Sequence, residues 1–565
     1  MPYRAPTSEL AHCLDDVVDF GQVQGTERFG EATQDVALAI LDEAGKLAND
    51  AIAPAQRQGD LHPVRLENGV VRTSPGYIDA YRAIAEGGWV GLPAASEYGG
   101  MGLPQTLNTA VTEFLSGACL ALAIKPLLSQ GQIEALEAHA SEELRATYLP
   151  KLVAGTWSGT MNLTEPQAGS DVGALRATAE PKGDGSWAVT GQKIYISWGD
   201  SDLVENVCHL VLARTPGAPA GTKGISLFLV PKILPIGHGA LGPANNLKVV
   251  SLEEKLGLHG SPTAVMSYEG ASGWLVGEEM GGMAAMFTMM NSARLGVGAQ
   301  GVGVAEAATQ HAVAFARERR QGKAGGTGAI IEHPDVKRML ATMKAETFAA
   351  RSIALACAVA IDMGHATESE AWRARAALLT PIAKAFGTDV GCRVADLGIQ
   401  VHGGMGYVEE TGAAQFFRDV RVCAIYEGTN GIQAIDLVSR KLADGGEAAY
   451  RLIDEIEADV EKIRDVMPEA AQAVWGAAET LREVTEWLVE EKMEARLSGA
   501  HSYLMAFARV LGGWYHLKSA FGGDPARRAV SDFYIGRLLP EHEAHIAAIR
   551  IGGADLQAIT PDHFA

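Results

Sequence analysis

The stretch CAIYEGTNGIQAIDL, Cys423 to Leu437, sets one carboxylate, Glu427, between an apolar run and a Thr-Asn-Gly turn. A carboxylate held in apolar surroundings is a candidate proton acceptor, because burial raises its pKa toward neutrality. The turn has a plain local reading: Asn430 can cap a helix whose third residue is Gln433, with Ile432 and Ile435 facing inward. That reading leaves Glu427 unexplained. A helix N-terminus lowers a carboxylate's pKa, so Ile425, Tyr426 and a bound apolar group must raise it if Glu427 is to act as a base.

Five further segments carry groups that could meet a ligand. In MNLTEPQAGSDVG, Met161 to Gly173, Thr164 offers a hydroxyl and Gly169, Ser170 and Gly173 can expose backbone N–H groups, although a capped turn needs no ligand. In GQKIYISWG, Gly191 to Gly199, alternation puts Tyr195 and Ser197 on one strand face, where an aromatic plane and a hydroxyl could cover a planar heterocycle or simply belong to a sheet. In NSARLGVGAQGVG, Arg294 interrupts a small-residue helix, either snorkelling or meeting an anionic or carbonyl group. FARERRQGKAGG clusters Arg317, Arg319, Arg320 and Lys323 at a helix end, a favourable place for cations and also a candidate pyrophosphate contact. GIQVHGGMGYVEE ends a helix in glycines suited to a left-handed C-cap or a close backbone approach.

The elements that must hold these groups follow from periodicity. Helical spacing governs residues 35–156, as in Val36, Ile40, Ala44 and Leu47, with Pro104 at a helix start. Between 157 and 276 the period falls to two, with Gly-Asp-Gly at 183–185 as a hairpin turn. Long helical segments return over 277–442, one opened by Pro334 and Asp335 and one carrying Pro381 as an expected kink. Residues 443–565 read as an added helical domain with solvated charged faces, and 1–34 as an N-terminal extension. The fold class is therefore α+β multidomain: a helical domain, a β domain of barrel or sandwich type, a four-helix bundle and an extra helical domain.

The 565 residues are 47% hydrophobic and 20% charged, which describes a folded protein. Sixty-eight acidic against 47 basic side chains give a formal charge of -21, which repels phosphate backbones and makes nucleic acid an unexpected partner. Six scattered cysteines suggest neither a disulfide framework nor a metal site, and MPYRAPTSEL lacks a leader pattern, so a cytoplasmic protein without a membrane span is expected.

In order along one chain, LTEPQAGSD, GQKIYIS, QVHGGMGY and IYEGTNGIQ resemble the acyl-CoA dehydrogenases, flavoproteins of the same helix, sheet, helix plan. The resemblance covers about residues 35–442. It implies FAD between the β domain and the bundle, with Met161, Leu163, Thr164, Tyr195, Ile196, Ser197 and Thr429 near the isoalloxazine. Arg319, Gln400, Gly403 and Gly404 match dinucleotide contacts made across a subunit boundary, so a homo-oligomer, here a homodimer, is implied. Ser170, Asn291, Arg294 and Gly428 match the thioester and pantetheine region, with Asn291 where many relatives carry an aspartate.

Glu427 falls on the family's catalytic glutamate, and the alternative position for that base, one residue before Arg294, holds Ala293. The implied reaction is α,β-dehydrogenation of an acyl-CoA to a trans-2-enoyl-CoA, with electrons passed to an electron-transfer flavoprotein. The enolate-like oxygen would be stabilised by the backbone N–H of the glutamate and a flavin ribityl hydroxyl. The long tail and the opening segment MPYRAPTSELAHCLDDVVDF resemble the larger dimeric branch that includes 3-methylmercaptopropionyl-CoA dehydrogenases of sulfur-compound catabolism. Two other readings share the fold: an acyl-CoA oxidase producing hydrogen peroxide, and a flavin-containing DNA-protection protein, against which the acidic tail argues.

Overall fold

Helix, sheet and helix succeed one another in the computed structural model, which describes residues 3–237, 239–323 and 326–565. Helix α1, Gln34–Lys46, is N-capped by Thr33, whose hydroxyl accepts from Val36 N. Helix α2, Gln105–His139, starts after Pro104, and its first N–H groups are taken by a distant carboxylate: Asp362 accepts from Gln105 N at 2.7 Å and Thr106 N at 2.8 Å. The extension is no appendage, since Tyr3, Leu10, Cys13 and Leu14 are buried in the main core. The helical reading of residues 35–156 missed a hairpin, Arg65–Glu67 with Val70–Arg72, turned by Asn68 and Gly69 at φ 52° and 77°.

The β domain comprises β1 Trp157–Asn162, β2 Thr178–Pro181, β3 Trp187–Ser197, β4 Asn206–Ala213, β5 Ser226–Pro231, β6 Leu247–Leu252 and β7 Thr263–Val276. Their order is β1-β4-β5-β7-β3-β2, with β6 also on β7. Strand β1 runs parallel to β4 and the other pairs are antiparallel. The long β7 changes neighbours along its length, pairing with β3 up to Gly273 and with β5 from Trp274.

Helices α3 Gly282–Glu318, α4 Pro334–Thr367 and α5 Glu370–His402 form the bundle with α2. Pro381 lies inside α5 and the helix continues through it. Small residues bring α3 and α5 close: a Cβ on Gly298 would stand 2.7 Å from the Ala383 carbonyl, and one on Gly301 only 2.2 Å from that of Gly387. This seam sets Arg294 of α3 beside Lys384 of α5. A short helix α6, Asn430–Asp436, follows, and the tail packs on the bundle through α7, Met493–Phe521. Among the described residues two helices, α2 and α4, are long and apolar enough to cross a membrane, and both are buried inside the fold.

Candidate active site

Glu427 sits in the turn before α6 with φ 57°, and Gly428 follows at φ 83°. A left-handed conformation is ordinary for glycine and strained for glutamate. The side chain is partly buried; burial raises its pKa to about 7, while the nearby Arg294 and Lys384 charges oppose the rise. Arg294 is 5% exposed, its Nη1 donates to Asn291 Oδ1 at 3.3 Å and lies 3.8 Å from Asp436 Oδ2, and its Nε has no partner. A Cβ on Gly428 would lie 3.9 Å from Arg294 Nη2, so arginine and turn are neighbours. Arg294, Asn291 and Thr288 also line a cavity of about 490 Å³ that reaches α2, α4 and α5.

Three local expectations need correction. Thr429, rather than Asn430, is the N-cap, accepting from Ile432 N at 3.2 Å, because the Asn430 side chain is drawn sideways to α5. Ile435, expected to face inward, is 41% exposed, and Ile425, expected to shield the acid, is 51% exposed. Tyr426 does pack inward, its hydroxyl donating to Gln300 Oε1 at 2.5 Å.

The sheet side brings the first two segments together. Ile194 N donates to the Thr164 carbonyl at 2.9 Å, and the buried Lys193 ammonium donates to the Leu163 carbonyl at 3.0 Å and to Glu165 Oε1 at 2.8 Å. Burial acts to raise the Glu165 carboxyl, yet Lys193 and the N–H groups of Arg176 and Ala177 hold it below the usual range, tying the loop that carries Ser170. Met161, Leu163, Thr164 and Ser197 are half-buried and Ile196 is buried. Among the described residues the Thr164 and Ser197 hydroxyls meet no side-chain or backbone partner, an arrangement that fits the polar edge of a planar ring above Met161 and Leu163.

Tyr195 does not share its face with Ser197 in the simple alternating sense. The register with β7 slips between Lys193 and Ile196, and Tyr195 occupies the bulge at φ 60°, 61% exposed. A bulge resets the alternation and re-aims one side chain, which period-two reasoning cannot foresee.

Arg319, Gln400, Gly403 and Gly404 are exposed and lie elsewhere. Phe315 stacks on His402 with centroids 4.4 Å apart, so the ends of α3 and α5 that carry these residues meet. Arg319 stands 25 residues beyond Arg294, about 37 Å at ~1.5 Å per residue, and within one chain the two groups are not brought together. Gly403 takes φ 60° and ψ -137°, a glycine conformation other than the expected left-handed cap.

Residues 35–156 match the acyl-CoA dehydrogenase N-terminal domain, 160–271 its middle domain and 280–442 its C-terminal domain. The chain belongs to the acyl-CoA dehydrogenase family. It is an oxidoreductase of that flavin-dependent family, and residues 452–560 match a further domain, acetyl-CoA dehydrogenase C-terminal like. A 3-methylmercaptopropionyl-CoA dehydrogenase of Ruegeria pomeroyi is 42% identical over 98% of this chain and 99% of its own length. A broad-specificity linear acyl-CoA dehydrogenase of Mycobacterium tuberculosis is 31% identical over 98% of this chain and 92% of its own. The acyl-CoA dehydrogenase of Bacillus anthracis, solved complexed with FAD, shares the fold with a TM-score of 0.74 at 20% identity, covering 97% of this chain and 92% of that one.

Within this candidate site, sequence reasoning passed over Lys384 and took Gln433 only as a helix-start residue. Gln433 Nε2 donates to the Glu427 and Gly428 carbonyls, each at 3.3 Å. The available signal was Lys384 in the apolar run PIAKAF, since a lysine there must be buried and partnered.

Proposed function

We propose that this chain is an FAD-dependent acyl-CoA dehydrogenase that converts 3-methylmercaptopropionyl-CoA, or a short- or medium-chain acyl-CoA, to the trans-2-enoyl-CoA. Glu427 is the base, and an electron-transfer flavoprotein takes the electrons. The chemistry rests on one observation: a carboxyl brought to about 7 by burial, in a strained turn, flanked by Lys384 and by an Arg294 that also lines the cavity. The thioester's α-proton passes to the Glu427 carboxylate, the electrons of that C–H bond become the new C=C bond, and the β-hydrogen departs with its electron pair. FAD, when bound, supplies the acceptor for that hydride.

Met161, Leu163, Thr164, Tyr195, Ile196 and Ser197 hold the ring in this reading, with Thr429 at its edge. Arg319, Gln400, Gly403 and Gly404, far from Glu427 in the same chain, serve the dinucleotide of a second copy, which makes the working unit a homodimer in the cytoplasm. Ser170, Asn291, Arg294 and Gly428 line the path of the thioester and pantetheine. Full-length likeness to the Ruegeria relative supports the thioether substrate.

The test is anaerobic bleaching of the flavin band of the FAD-loaded enzyme by a series from propionyl-CoA to palmitoyl-CoA, with 3-methylmercaptopropionyl-CoA included. Fast bleaching by the thioether and its short-chain neighbours is expected. Bleaching by long chains alone would remove the substrate assignment, and stoichiometric hydrogen peroxide in air would make the enzyme an oxidase.

A further inference from the structure

One face of α5 reaches across to the turn that carries Glu427. Lys384 is fully buried, and its ammonium donates to the Gly428 carbonyl and to Asn430 Oδ1, each at 2.9 Å. Asn430 Nδ2 donates in turn to Thr388 Oγ1 at 3.0 Å and Asp389 Oδ1 at 2.7 Å. A left-handed glutamate persists only where its surroundings over-determine it, and these bonds, with those of Gln433 from the other side, do so. A neutral donor could satisfy the same carbonyl without the cost of burying an ammonium, so the choice of lysine asks for a reason beyond packing.

We propose that Lys384 is a positioning residue for proton transfer: it pins the left-handed turn that aims Glu427, and its charge favours the carboxylate form. This rests on the reading of Glu427 as the base. The charged and titratable groups around the acid include Arg294 from α3, Lys384 and Asp389 from α5, Asp436 and Arg440 at and beyond the end of α6, and the adjacent Tyr426 phenol, which burial raises well above its ordinary value and keeps neutral. The Cys423 thiol, pushed up to about 12 by burial, stays neutral. Burial lowers Lys384 to about 8 while the Glu427 and Asp389 charges oppose the fall. Without the ammonium, Arg294 alone opposes the desolvation of Glu427, and the carboxyl moves further up.

The test compares Lys384→Met, Lys384→Gln and Lys384→Arg as FAD-loaded enzymes, following kcat and KM against pH with the best acyl-CoA. Glutamine keeps an N–H donor without the charge, and arginine keeps both, so the series stays informative if the methionine variant folds poorly. The acid limb of kcat should move up by about one pH unit in the methionine and glutamine variants, since an adjacent opposite charge shifts a carboxyl by at least about that much. At pH 7, where the parent base is about half ionised, that is about fivefold in kcat, rising to about tenfold well below pH 7. KM should change little, and the arginine profile should stay near the parent's. Acid limbs for the glutamine and methionine variants that superimpose on the parent's would overturn the proposal and leave Lys384 a purely structural residue. Turnover surviving in Glu427→Gln is a different result, and it removes the base itself.

Discussion

Replacing Glu427 with glutamine separates the acid's chemistry from its cost to the fold. The folded-state pKa of Glu427, about 7, lies above its ordinary value of 4.5, so the protonated form favours folding. The penalty is absent below about 4.5, grows as pH rises to about 7 and is complete above it. At ~1.4 kcal/mol per pH unit, the span from 4.5 to about 7 comes to about 3 kcal/mol. Glutamine has nearly the same shape and no titration, so Glu427→Gln should be more stable than the parent at pH 8, by up to about 3 kcal/mol, and barely different at pH 4.5. With about 2.1 cal/mol/K of unfolding entropy per residue over 565 residues, that is a gain of about 2 to 3 °C in Tm. Turnover should fall by about 10²- to 10⁴-fold, the usual contribution of a general base. Thermal scans of parent and variant, FAD-loaded and FAD-free, at both pH values decide it. A Tm difference independent of pH, or a loss of stability at pH 8, would refute the reasoning, as would retained turnover.

Two other substitutions probe the elements that position the site. Gly298→Ala sets a methyl 2.7 Å from the Ala383 carbonyl, which sits one residue before Lys384, and forces α3 from α5. Overpacking of ~1–3 kcal/mol, partly offset by the ~1 kcal/mol helix preference of alanine, should lower Tm by about 1 °C and depress kcat while FAD stays bound, and an unchanged or raised Tm would contradict the close seam. Lys193→Met leaves the Glu165 carboxylate, 5% exposed, without its cation. That change should cost about 3–5 kcal/mol and weaken retention of FAD through the loosened Leu163 to Ser170 loop, and a variant with parental flavin content and Tm would show that the pair does not support that loop.

The order of helix, sheet and helix was legible because the hydrophobic period changes from 3.6 to two near Trp157 and back after Val276. Glu427 stood out because the helix start beside it did not account for an acid. The remainder depended on contacts across the fold. Tyr195 was placed by alternation, which a bulge opposite Val265 breaks. Asn430 was expected to cap α6, and it is spent on α5 instead, leaving the cap to Thr429. Ile425 was expected to shield the acid and is 51% exposed, whereas its neighbour Tyr426 packs inward onto Gln300 of α3. Asn68-Gly69 was an overlooked hairpin signal that sequence alone could have used.

Backbone strain and buried positive charge coincide on the two sides of this site. Tyr195 and Trp198 on the sheet side and Glu427 on the bundle side all have φ between 54° and 60°. Among the described residues the fully buried lysines are Lys125, Lys193 and Lys384, in a chain of net charge -21. Lys125 stands 5.1 Å from the ring centre of Trp198, Lys193 ties the loop beside Tyr195, and Lys384 holds the turn of Glu427. A buried ammonium is costly and a left-handed non-glycine residue is strained, so each is a poor choice for stability alone. An ammonium nevertheless offers three donors from one compact atom, enough to fix several carbonyls or hydroxyls of an irregular segment at once. Lys193 and Lys384 therefore do for the irregular backbone what a hydrogen-bond ladder does for regular elements, and they place their charge beside Glu165 and Glu427, acids that must be able to ionise.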